Sequence, residues 1–183
     1  MGSRAGAPPP SLRDTSPRAG EDGREETMPK IDLEAVPVRS GTRYPPPFDE
    51  PCMGRAWQML GDAAGLTQFG VNLVTLPPGA WASQRHWHEK EDEFVWLLEG
   101  ELVLIEDAGE TTMRAGDCAA WKAGVRDGHH LVNRSDAPAR FLVVGTREQT
   151  DTGDYSDIDM TFGRKLEDGA VVSGYFHKDG TPY

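Results

Sequence analysis

"QRHWHEKEDEFVWLLEG", residues 84–100, decides the fold. His86 and His88 stand one residue apart, acids crowd the positions that follow, and an apolar run ends at Gly100. In an extended chain alternate residues face the same way, so both histidines project from one face, about 7 Å apart at the backbone. That is close enough for their rings to converge on one ion. A turn over Glu89–Asp92 makes Glu93 the first residue of the next strand, and hairpin pairing would set it beside the histidines. The same parity turns Val95 and Leu97 inward with Glu93, and Phe94, Trp96 and Leu98 outward. Glu89, Glu91 and Asp92 read as a solvated turn.

Working outward, short apolar bursts alternate with turn residues from 68 to 146. "QFGVNLVTL" precedes Pro77-Pro78-Gly79, and "WASQRHWH" and "EFVWLL" flank the acidic turn. "ELVLIED", "ETTMRA", "CAAWKA", "HHLVN" and "RFLVVGT" follow, each beside Gly, Asp or Ser. Eight candidate strands at about ten-residue spacing predict an all-β sandwich or barrel. The best helix candidate is "CMGRAWQMLGDAAG", short and interrupted by glycine. Residues 31–67, rich in Pro and Gly around "YPPPFDEP", read as an irregular arm laid on the barrel. Residues 147–183 read as an acidic, loop-like tail with an edge strand at "AVVSGYF". Residues 1–30 contain five prolines and four glycines but no aromatic. They bury too little apolar surface to offset their ordering entropy and are expected to be disordered. No apolar segment follows their arginines, and Pro8–Pro10 would break an amphipathic helix, so no targeting peptide is expected there.

Two imidazoles and a carboxylate suit a first-row divalent metal, and a fourth ligand should come from another strand. In "GHHLVN", His129, Leu131 and Asn133 share one face, and His130 and Val132 the other. His129 is preferred because its parity places the Asn133 amide in the same cavity. The expected donors are thus His86, His88, Glu93 and His129, around Mn, Fe, Ni, Co or Zn. Gln84, of the same parity as the histidines, and Asn133 are the expected substrate contacts. Trp87 and Trp96 point outward and need cover, from the 31–67 arm or a second copy of the chain. A homodimer burying Phe94, Trp96 or Trp87 is expected. Lys122 and Arg126 read as ordinary loop charges.

The spacing of these residues resembles the cupin superfamily. Its first motif is matched by Gly79, six residues, His86-Trp87-His88, four residues, Glu93, six residues and Gly100. Its second is approached by Gly116, five residues, Lys122-Ala123-Gly124, four residues, His129, three residues and Asn133. Lys122 stands where the family carries proline, and the spacer before His129 is two residues longer than the common form. The resemblance implies an antiparallel double-stranded β-helix, or jelly roll, over 68–146, with the metal inside. It extends to a single-domain bacterial group carrying sugar-phosphate-isomerase-like labels.

A net charge of −11 falls wholly on residues 31–183, since the first thirty hold five acids and five bases. Such a surface repels phosphate backbones and anionic headgroups, which excludes nucleic acid and membrane as expected partners. No apolar run reaches the length of a membrane span. Cys52 and Cys118 lack metal or redox spacing and are expected to be reduced thiols of a cytoplasmic protein. The partner left is a small molecule. A metal chelating a carbonyl and its adjacent hydroxyl supports isomerase or lyase chemistry, with sugar or sugar-phosphate isomerisation the leading expectation. With Fe(II) the site would suit a dioxygenase. A metal- or metabolite-binding module without turnover is the third reading.

Overall fold

The computed structural model describes residues 30–167 and 170–183. The disorder expected over 1–30 lies outside these but for Lys30, which is exposed. The strands are β1 (Val38–Ser40), β2 (Ala56–Met59), β3 (Phe69–Leu76), β4 (His86–His88), β5 (Glu93–Glu99), β6 (Glu101–Glu106) and β7 (Gly109–Arg114). They continue as β8 (Cys118–Trp121), β9 (His130–Val132), β10 (Ala139–Thr146), β11 (Thr152–Tyr155), β12 (Thr161–Glu167) and β13 (Ala170–Phe176). A single helical turn, α1 (Leu60–Ala63), follows β2.

All pairings are antiparallel, in three sheets ordered β1-β2-β3-β10-β5-β8, β13-β12-β11-β4 and β7-β6-β9. The all-β antiparallel expectation therefore holds. Alternation sets the faces: on β5, Val95 and Leu97 are 2% and 1% exposed, whereas Phe94 and Trp96 are 38% and 44% exposed. The core gathers inward residues of several strands, among them Leu76, Leu97, Leu102, Met113 and Phe141. Gly100, the last residue of the first motif, turns β5 into β6 at φ +83°. A Cβ there would stand 2.9 Å from Pro138 O, so the tight turn needs glycine for both its angle and its clearance.

Three segments differ from expectation. The arm 31–67 is not wholly irregular: it supplies β1 and β2, which extend the six-stranded sheet through the β2–β3 ladder, with Trp57 opposite Val74. The middle of the candidate helix, Ala56–Met59, is thus strand, paired with β3, and only Leu60–Ala63 is helical. The tail supplies three strands rather than one. β13 is the edge strand foreseen at "AVVSGYF", but β11 and β12 lie where loop was expected, and β11 pairs directly with β4. Gly153, Asp154 and Gly163 interrupt the strand-forming Thr, Tyr and Phe of these segments, and pairing imposes the extended conformation through them. Gly153 permits it: a Cβ there would lie 2.1 Å from Trp87 O, inside the β4–β11 ladder.

Candidate metal centre

β4 places His86 and His88 on one face, and a short bridge fixes the third imidazole beside them. His86 N–H donates to His129 O at 3.2 Å, and His129 N–H donates back to His86 O at 2.9 Å. Glu93 begins β5, opposite Trp121 of β8. The outcome is convergence on one atom. Glu93 Oε2 lies 3.2 Å from His129 Nε2, 3.6 Å from His88 Nε2 and 3.9 Å from His86 Nε2. Ligand atoms held about 2.1 Å from a first-row divalent cation stand about 3.0–3.4 Å from one another. His86, His88 and Glu93 also form a group whose ligand atoms all lie within 4.8 Å of one another. The choice of His129 over His130 agrees with this geometry: His130 turns its Nδ1 to Ser83 O and its ring edge to Trp81.

Contacts behind the ligands fix their orientation. His86 Nδ1 is 2.9 Å from Gln84 O, and His88 Nδ1 is 2.7 Å from Asp151 Oδ2. Each Nδ1–H donates away from the cavity and leaves the Nε2 lone pair facing inward. His129 is held differently. The Trp121 ring stacks on it at 3.7 Å and 5° between planes, and the indole N–H is anchored on Glu106. Its Nδ1 is buried with no hydrogen-bond partner. Phe162, from the tail, closes over the rings of His88 and His86 at 5.1 and 6.3 Å.

The electrostatics suit a cation. Burial, followed by the neighbouring His129, lowers the His86 pKa to about 3, against the pull of Glu93, so that imidazole is a neutral donor. Burial would raise the Glu93 pKa, but the bond to His129 and the surrounding imidazoles bring it to about 2 and keep the carboxylate ionised. For His88, burial pulls downward, but the bond to Asp151 and the charges of Glu93 and Glu91 outweigh it. Three Nε2 donors and one ionised carboxylate fit a divalent transition metal.

The four donors line a cavity of about 700 Å³ that the inner faces of the sheets enclose. The two expected substrate contacts do not line it. Gln84 is buried and donates its amide to Phe48 O, tying the 45–48 stretch to the barrel. Asn133 is fully buried and its side chain is saturated: its amide donates to Leu76 O and Ala137 O, and its oxygen accepts from Ser135 N–H and Oγ–H. Parity put Asn133 on the correct face, but the end of β9 carries it past the cavity into a turn that it clamps. Three contributors went unrecognised in the sequence. Glu91, read as a solvated turn residue, lines the cavity with a side chain only 13% exposed, 3.8 Å from His88 Nδ1. Asp151 and the arginines of the 31–67 segment (below) carried no local signal. Lys122 does not line the cavity, and Arg126 pairs with Glu89 and lies over Trp87.

Among known proteins, a family model described as "Cupin domain" matches residues 72–145. A crystal structure from Silicibacter pomeroyi, described as a sugar phosphate isomerase from a cupin superfamily, is 50% identical. The match covers 85% of this chain and 96% of that one, with a TM-score of 0.79. A second structure, from Acidithiobacillus ferrooxidans and described as a proposed sugar phosphate isomerase, is 27% identical. That match covers 65% of this chain and 74% of that one, with a TM-score of 0.60. A curated relative, the tetracenomycin polyketide synthase protein TcmJ of Streptomyces glaucescens, is 28% identical over 80 residues. Those residues are 44% of this chain and 52% of the relative, so the chain matches about half of that protein's length.

Proposed function

The chain belongs to the cupin superfamily, and from that premise we propose that it is a metal-dependent enzyme that isomerises a sugar or sugar phosphate. The observation that carries this reading is the convergence of three imidazole Nε2 atoms on Glu93 Oε2 inside a cavity large enough for a small metabolite. The half-identical relative described as a sugar phosphate isomerase supports the choice of reaction. His86, His88, Glu93 and His129 would hold the cation. Bound there, it would supply Lewis-acid polarisation of a chelated carbonyl.

The protein's own residues do the rest. Gln84 O and Asp151 keep the Nε2 lone pairs of His86 and His88 aimed inward, and Trp121 holds the plane of His129. Glu91 stands on the Nδ1 side of His88, behind the ligand, where Glu148 N–H donates to its Oε1 at 2.7 Å and its charge helps hold the imidazole in place. Phe162 and Tyr155 cover the histidines and keep bulk water from that side. Outside the barrel, the exposed Phe94, Trp96 and Leu98 stand in one line on β5 and support the homodimer.

The test is elemental analysis of the purified protein, with aldose–ketose interconversion measured on a panel of sugars and sugar phosphates. Stoichiometric manganese, zinc, nickel or cobalt, with interconversion lost in Glu93→Gln, is the expected result. Iron with substrate-dependent oxygen uptake would replace the reading by a dioxygenase. Metal without any turnover would leave a binding module.

A further inference from the structure

The cavity carries a second chemical feature, away from the four donors. Arg39 on β1, Arg43 beyond it and Arg55 just before β2 all line the cavity. Their placement follows from the register. Arg39 pairs with Trp57, and Arg55 lies two residues before Trp57, so all three share the inner face of the six-stranded sheet. β3 and β10 separate β2 from β5. The arginines on β1 and beside β2 are therefore three to four strand spacings, about 14–19 Å measured along the curved sheet, from the strand that carries Glu93.

What singles these arginines out is their lack of counter-ions. The chain has thirty acids against nineteen bases. Arg85, Arg114, Arg126, Arg134, Arg140 and Arg147 each pair with an Asp or Glu. Among the described residues Arg39, Arg43 and Arg55 pair with none. The Arg55 Nη1 donates to Ala82 O at 2.6 Å, its Cζ lies 4.8 Å from the centre of the Trp57 ring, and its Nε is buried without a partner. Tyr175 lines the same end of the cavity. Burial raises its hydroxyl pKa, and the charges of Arg43 and Arg55, close enough to act on it, oppose that rise. Guanidiniums left unpaired in a concave site repel one another and focus a positive potential into it, a cost that an incoming anion reverses. Planar forks with free N–H donors match the oxygens of a phosphate.

We infer that Arg39, Arg43 and Arg55, with the Tyr175 hydroxyl, form a phosphate subsite that grips the phosphomonoester end of the substrate while its other end meets the metal centre. Only the second half of this statement rests on the proposed function. The arm 31–67 is thereby the element that selects a phosphorylated ligand over its neutral parent.

The experiment titrates inorganic phosphate into metal-stripped, full-length protein by calorimetry. Saturable binding is expected, weakened about tenfold or more in the Arg39→Ala/Arg43→Ala variant. Both side chains are exposed, so an unchanged melting temperature would separate lost binding from lost folding. Lactate, the carboxylate probe, should bind at least about tenfold more weakly than phosphate. Non-saturating phosphate binding, equal affinity in the double variant, or lactate as tight as phosphate would each overturn the subsite. The metal reading is tested apart: His86→Ala/His88→Ala should lose metal and keep phosphate. Phosphate binding that depends on the arginines in a wild-type protein that never takes up metal would sink the proposed function and leave the subsite standing.

Discussion

The Nδ1 of His88 lies 2.7 Å from Oδ2 of Asp151, a carboxylate 63 residues further along the chain with no solvent exposure. The other oxygen of Asp151 accepts the backbone N–H of Lys90 at 2.9 Å, which pins the turn that follows the histidines. One buried acid thus orients a ligand and holds the loop leading to Glu93. Replacing it with the isosteric Asn keeps the shape but removes the charge that favours the donating Nδ1–H. Asp151→Asn is expected to weaken metal binding about 10- to 100-fold while the protein still folds, as read by competition with a chelating dye. Unchanged affinity would show that the pair serves the fold alone.

Trp121 is the corresponding support for His129, through its face rather than through a hydrogen bond. Trp121→Phe keeps a stacking ring and is expected to retain metal, whereas Trp121→Ala frees the imidazole and opens a void. The alanine variant should lose about 3–5 kcal/mol of stability. The measurement that tells positioning from packing is metal affinity at a temperature where both variants remain folded. Equal affinity there would count against a positioning role.

In the metal-free centre the titrations of His86, Glu93 and His88 each have a defined sign. His86 takes its proton near 3 in the folded protein and near 6.5 when unfolded. Over that window the unfolded chain binds the extra proton, so stability falls as pH is lowered. Glu93, at about 2 folded against 4.5 unfolded, adds a loss of the same sign below 4.5. His88, shifted upward, acts oppositely: its contribution is full below 6.5 and fades as pH rises through its folded value. Urea melts of the metal-stripped protein should therefore show stability declining into acid. His86→Gln should remove up to about 1.4 kcal/mol per pH unit of that slope between 6.5 and 4.5. An identical slope in the variant would refute the assignment.

The metal itself should act as a folding ligand. Glu93→Gln removes the only charged donor of the four, and is expected to abolish both stoichiometric metal and the rise in melting temperature that added metal produces in wild type. A variant that still gains thermal stability from added metal would place the cation elsewhere.

On the outer face, Phe94 and Trp96 are 38% and 44% exposed, and Leu98 continues their line. Trp96→Glu sets a charge at the centre of that row and is expected to convert a dimer into a monomer by light scattering, with metal content unchanged. A monomeric wild type would remove the premise.

The sequence by itself determined what depends on near neighbours. Alternation along β4 and β5 set His86, His88 and Glu93 inward and Phe94 and Trp96 outward, and turn residues marked all eight strands between 68 and 146. His129 was legible too, because its parity within "GHHLVN" is a local property. The tertiary structure alone decided which distant groups stand behind those ligands. Asp151 sits in a stretch with no strand pattern, and it reaches His88 only because β11 pairs with β4. Asn133 and Gln84 had suitable parity, yet backbone partners in other segments claimed their amides. Arg39 and Arg55 look like ordinary surface charges until the β1–β2–β3 pairing turns them into the cavity. The physical reason is the range of the forces: side-chain alternation repeats every two residues, whereas sheet pairing is chosen by the competition of whole strands for partners.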